Sequence, residues 1–200
     1  VTTWTAKNFV GGHISLDFVN TAGGRTKDRD AERLPHYPDA VGWARAAGVV
    51  DQAEAGRLLG SPGPGGPDAV ARLRAQREAL HAYLLAGIDG VEAPPEARAR
   101  VEADLRAAHA AARLSPDPAG PDVWSIPLTS AGLEVIGLRL GLATSALLIG
   151  TDRRNIRICG ACSWMYLDPS PSKRRRWCSM AACGNRTKVR RHADRSRGTA

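Results

Sequence analysis

Four cysteines, Cys159, Cys162, Cys178 and Cys183, lie in the last quarter of this 200-residue chain, spaced C-x2-C and C-x4-C with fifteen residues between the pairs. Two thiolates three residues apart on a tight turn, here with Gly160 between them, can both reach one tetrahedral ion at about 2.3 Å, and a second pair completes the sphere. Four thiolates leave no open coordination position, so the spacing predicts one structural Zn2+ and no catalytic metal. The alternatives are two disulfides, which need an oxidising compartment, or free buried thiols. His192 could stand in for a ligand, but four sulfurs already suffice.

The charge of the chain is concentrated on the same stretch. Residues 151–200 carry thirteen lysines and arginines against Asp152, Asp168 and Asp194, a net +10, and the first 150 residues sum to −2. Cations packed this densely repel one another unless a polyanion screens them. This predicts a nucleic-acid-binding surface confined to the C-terminal quarter, with double-stranded DNA as the partner. Its candidates are Lys173, Arg174, Arg175 and Arg176 before the second cysteine pair, and Arg186, Lys188, Arg190 and Arg191 after it. On a helix from Cys183, Arg186, Arg190 and Arg197 share one side and Lys188, Arg191 and Arg195 another, with Val189 between them as a core contact. Arg186 and Arg190 are the expected groove readers, and the 173–176 cluster the expected phosphate contacts. Arg186 could instead bond carbonyls around the zinc, and Asn185 is a better helix cap than base reader.

These side chains need a scaffold. Ile156, Arg157 and Ile158 lead into the first cysteine pair, Trp164–Leu167 suggest a strand, Asp168–Ser172 a turn, and Lys173–Trp177 a returning strand. Ser179 or Asn185 would then cap a helix at Cys183. The expected order is knuckle, β-hairpin, helix, a treble-clef-like finger, with zinc supplying about 10–16 kcal/mol of folding energy as in comparable peptides. Trp164, Tyr166 and Trp177 would form its core; in a rival RNA-binding reading they would stack on bases.

The first 150 residues read as mostly helical. In GGHISLDFVNT, Ser15 could cap a short helix, although Ile14, Leu16 and Phe18 alternate as a strand would. His13, Asp17, Asn20 and Thr21 could line a small-molecule pocket, or only make capping and turn bonds. Residues 22–38 read as a loop. Asp39 is expected to cap a helix to Ala47, and Asp51 with Glu54 a second one to Leu59. Helix, short step, helix resembles a helix-turn-helix, but its short second helix offers only Arg57 as a cation and lies in the net-negative part of the chain, so a plain helical hairpin is the better reading. Gly/Pro segments at 60–67 and 115–122 punctuate the chain. Between them lie an amphipathic helix over 68–88 and a second from Pro94-Pro95 to Arg113. Val123–Leu128 looks like a short strand. Residues 130–149 form the most apolar helix, fit for the core or a dimer interface.

Cys183-Gly184-Asn185-Arg186, preceded by Arg175-Arg176-Trp177-Cys178-Ser179-Met180 and followed by Lys188-x-Arg190-Arg191-His192, resembles the CGNR zinc finger. Leu16-Asp17-Phe18-Val19-Asn20-Thr21 is similar to the opening signature of the ABATE domain that accompanies it. The resemblance implies a bacterial, stress-induced transcription regulator with a zinc-bound, DNA-binding C-terminus. The expected protein is therefore mainly α with minor β, a helical domain over 1–150 followed by a finger over 151–200. A small-molecule effector and homodimerisation are further expectations for the first part. No basic segment followed by a long apolar run opens the chain, and no eighteen uninterrupted apolar residues occur, so no membrane and a cytoplasmic location are expected. No phosphate loop, nucleophile elbow or metal-binding histidine pair points to an enzyme.

Overall fold

Helix α1, Ile14–Val19, settles the ambiguity of the opening segment. His13 caps it, its Nδ1 accepting from the Ser15 N–H at 3.2 Å. Ser15 sits inside the helix, where its hydroxyl accepts from Thr144. The computed structural model describes residues 2–60, 65–116 and 120–198, so parts of both expected Gly/Pro loops, 61–64 and 117–119, lie outside the described residues.

Helices α2, Tyr37–Ala46, and α3, Gln52–Gly60, form the helical hairpin. Asp39 is the third residue of α2 and not its cap; its carboxylate accepts from the His36 N–H. Asp51 and Glu54 make the reciprocal box at the start of α3. The long α4, Gly65–Asp89, precedes α5, Pro95–Ala111, which stops short of Arg113 because Arg113–Ser115, β1, pairs antiparallel with Val123–Ser125, β2. The apolar helix begins later than its composition suggests. A four-residue turn, α6, Leu128–Ala131, breaks at Gly132, with φ +54°, and α7 runs Val135–Ile149.

Helix α7 belongs to the core. Ile136 and Leu140 join Phe18, Leu34 and Trp43, whose ring centroid lies 5.5 Å from that of Phe18. A Cβ at Gly141 would come within 2.6 Å of the Ala108 Cβ, so the glycine sets how closely α5 and α7 approach. The segment Leu128–Ile149 is long and apolar enough to cross a membrane by length and composition alone. Here its inner face packs against the other helices, and its Arg139 pairs with Glu54 at 2.7 Å.

A second cluster joins this helical body to the C-terminal quarter. Strand β3, Ile156–Ile158, pairs antiparallel with β4, Met165–Leu167. Successive strand residues face opposite sides. Met165 and Leu167 accordingly pack with Leu16, Val19, Leu80 and Leu84, while Trp164 and Tyr166 pack with the four cysteines. Thus the hairpin flanks the first knuckle instead of following it. Lys173–Trp177 forms no strand: Asp168 accepts from Ser170 and from the Arg175 N–H, and Lys173 adopts φ +48°. Side chains satisfy the backbone that a second strand would have paired. A π-helical turn, Met180–Gly184, then leads into α8, Asn185–Gly198.

Candidate zinc centre and nucleic-acid interface

The sulfurs of Cys162, Cys178 and Cys183 form a triangle with sides of 3.7, 3.6 and 3.6 Å. With Cys159, all four ligand atoms lie within 4.8 Å of one another, and all four residues are buried. A tetrahedral Zn–S site with bonds of about 2.3 Å has edges of about 3.8 Å, so the donor set fits one zinc ion. Disulfides, with S–S near 2.05 Å, do not form; the cysteines are free. Hydrogen bonds from Cys162 and Cys178 hold the Cys159 thiol far below its ordinary range, whereas Cys159 drives Cys162 up to about 12 and Cys178 higher still. Four sulfurs this close cannot all carry charge on their own, and a divalent cation lets them.

Local sequence shapes each half of the site. In the knuckle, the Cys159 N–H donates to the Trp164 carbonyl at 2.9 Å and the Ala161 N–H to the Cys159 Sγ at 3.5 Å. Gly160 is required for closeness: a Cβ there would lie 2.9 Å from the Trp177 ring, and its N–H donates to the Arg176 carbonyl. In the second half, Ser179 caps the turn that carries Cys183, accepting from the Ala182 N–H at 3.3 Å.

The helical body grips the knuckle through residues whose role the sequence did not disclose. Asn20, at the end of α1, acts as an extra strand partner for β4: its amide donates to the Met165 carbonyl and accepts from the Met165 N–H, both at 2.8 Å. The loop 22–33 forms a saddle. Its Gly23 and Gly24 have φ of +71° and +102°, and a Cβ at Gly24 would fall 2.5 Å from the Trp164 ring. The Trp164 Nε1 donates to the Ala22 carbonyl, the Ser163 N–H to the Thr26 carbonyl, and the Lys27 Nζ to the Cys159 carbonyl. The saddle is braced from α4. Arg77, 3% exposed, donates to Glu32 at 2.6 Å and to Thr21 at 3.1 Å, and Arg29 pairs with Glu78. Burial would raise Glu32, but the hydrogen bonds from Arg77 and Leu34 outweigh it and hold the carboxyl below its usual range. The Gly-Gly pair was the one visible signal of this saddle.

The expected pocket residues are therefore divided. Asn20 and Thr21 are buried and spent on these bonds, Thr21 also donating to the Phe18 carbonyl. Asp17 accepts from the Gly11 N–H at 2.8 Å; burial outweighs that bond and pushes its carboxyl up to about 6. Of the four, His13 and Asp17 border an open cleft beside Trp4 and Phe9. His13 is lowered by burial against the opposing pull of Asp152.

The eight candidate DNA contacts also separate into two groups. Lys173 donates to Asn155 and to the Asp168 carbonyl, both at 2.8 Å. Arg175 stacks 4.2 Å over Tyr166 and donates to the carbonyls of Val10, Leu167, Trp177 and Cys178. Arg186 donates to the Cys183 Sγ at 2.9 Å and reaches the Gly24 carbonyl. These three stitch the zinc centre together. All eight residues are exposed, but the side chains of Arg174, Arg176, Lys188, Arg190 and Arg191 make no hydrogen bond or ion pair among the described residues, and Arg176 lies over the Trp177 ring. Helix α8 presents no packed face beyond its first turn. Val189, expected in the core, is 69% exposed, because the helix points away from the body once Cys183 has anchored it.

Residues 155–196 match the CGNR zinc finger, and residues 12–149 match ABATE, described as "Putative stress-induced transcription regulator". No curated protein matches the sequence. With well over half of its length in that match and the four cysteines gathered where the finger requires them, the chain belongs to the ABATE family and ends in a CGNR zinc finger.

Proposed function

We propose that this protein is a zinc-dependent, duplex-DNA-binding transcription regulator in which the metal holds a basic helix and a basic loop against the nucleic acid. The observation that carries the reading is α8. A 14-residue helix in water is marginal even with good helix formers, and this one buries no face and carries six cations against Asp194. Arg186 and Lys188 near its N-terminus also oppose the helix dipole. A polyanion removes both penalties, and the B-DNA major groove is wide enough to admit a helix. Arg174 and Arg176, beside the zinc turn, supply phosphate contacts at its root.

Burial disfavours the RNA-stacking alternative, since Trp164 and Tyr166 are enclosed and hydrogen-bonded. The same spending of Asn20 and Thr21 favours a binding protein over an enzyme. The double variant Arg190→Ala/Arg191→Ala, made in the full zinc-loaded chain, tests the reading by fluorescence anisotropy on duplex DNA. Affinity is expected to fall at least tenfold, about 1.4 kcal/mol or more, with zinc content unchanged. Undiminished affinity would contradict the proposal.

A further inference from the structure

A cavity of about 370 Å³ opens where α4 meets the turn joining α7 to β3. Leu84 and Ile156 provide an apolar floor and Tyr83 one wall, while Arg153, Arg154 and Arg157 form the rim. The lining contains no carboxylate, and none of the three arginines joins an ion pair among the described residues. Asp152, the acid on this turn, accepts from Asn155, and its field acts on His13.

The cations are arranged, not merely collected. Arg157 Nη1 donates to the carbonyls of Arg154 and Ile156, each at 2.8 Å, so its guanidinium is oriented by the backbone. Arg153 lies 5.6 Å from the Tyr83 ring centroid and reaches the Tyr83 hydroxyl. A planar guanidinium held in place loses little freedom on meeting a carboxylate or phosphate. The cavity also has a wall that a side chain would fill: a Cβ at Gly87, within α4, would touch nothing within 4 Å.

The geometry points to a binding site for a small organic anion, a carboxylate or phosphate monoester carrying an aromatic or branched apolar body. The anion meets the arginines, and the body lies on Leu84, Ile156 and the Tyr83 ring. The volume falls in the range of small-molecule pockets. Such a ligand bridges α4 to the turn entering the zinc hairpin. The inference does not depend on DNA binding, because its residues are separate from α8 and from Arg174 and Arg176.

Isothermal titration of the full zinc-loaded chain with phenyl phosphate, benzoate and inorganic phosphate tests it. One saturable site is expected for phenyl phosphate or benzoate, at least tenfold tighter than for inorganic phosphate. Arg154→Ala should weaken it at least tenfold, and Gly87→Leu should abolish it while the melting temperature holds or rises. Absence of saturable binding, equal affinity for inorganic phosphate, or binding that survives Gly87→Leu would overturn the site. So would loss of duplex affinity in Arg153→Ala/Arg154→Ala in a protein that takes up neither aryl probe, which would make these arginines part of the DNA surface instead.

Discussion

At the scale of single residues, close approach decides more than charge. Gly24 and Gly48 both hold positive φ, +102° and +74°, but only Gly24 faces an obstacle, the Trp164 ring tied to Ala22. A left-handed backbone costs a non-glycine residue about 1–2 kcal/mol. Gly48→Ala should cost about that much in urea denaturation of the zinc-loaded protein. Gly24→Ala should cost about 2 kcal/mol more, since the ring must be displaced from a packed site. Equal losses would mean that the saddle does not grip the knuckle.

Asp17 gives a pH signature of definite sign. Its folded-state carboxyl keeps its proton up to about 6, whereas an unfolded one releases it near 3.8. Between those values the folded state binds more protons, so the contribution of Asp17 to stability is present below about 3.8 and is lost as pH rises through about 6. Asp17→Asn cannot ionise and retains an acceptor for the Gly11 N–H. Relative to the parent, it should gain stability between pH 4 and 7, by at most about 3 kcal/mol for a shift of this size. A difference that stays constant across that range would contradict the burial of the charged form.

Among the elements, the zinc ligands were fully legible because metal geometry acts over a few residues and leaves a spacing. The order of the strands was not. Trp164–Leu167 was readable as a strand, but β3 and β4 are three residues each, too short for local sequence to say which segment pairs with it. The bonds that fix β4 come from Asn20 and Gly11, more than a hundred positions away. The same distance hid the role of loop 22–33, which reads locally as charged and turn-rich. The start of α7 was misplaced for a local reason, Gly132 breaking an apolar run that composition alone would continue. This docking predicts where zinc removal will be felt. Hydrogen exchange with and without a strong chelator should show the Cys159, Ser163 and Met165 amides losing protection. Loop 22–33 should loosen with them, including the Gly23 N–H bonded to Ala31, while α2 stays protected. A loop indifferent to chelation would show that body and finger are not mechanically joined.

For the whole molecule, the zinc centre is an anchorage seated in the helical body, and the basic surface extends outward from it. Sequence charge placed the basic surface in the last quarter but could not separate the arginines that hold the fold from those whose side chains bond nothing in it. Arg175 and Arg186 look the same as Arg174 and Arg190 until their hydrogen bonds are known. Of the eight candidate cations, all exposed, five, Arg174, Arg176, Lys188, Arg190 and Arg191, make no side-chain hydrogen bond or ion pair among the described residues, unlike Lys173, Arg175 and Arg186. If these five meet phosphates, each releases counterions, and the logarithm of affinity falls with that of salt at a slope of about −0.9 per contact. The most direct measurement is duplex binding by the full zinc-loaded chain as a function of ionic strength, with the chelated protein alongside. The account predicts a slope of about −4 to −5 and loss of most of the affinity on chelation. A zinc-loaded protein with no affinity for duplex DNA, or one whose binding ignores both salt and metal, would contradict it.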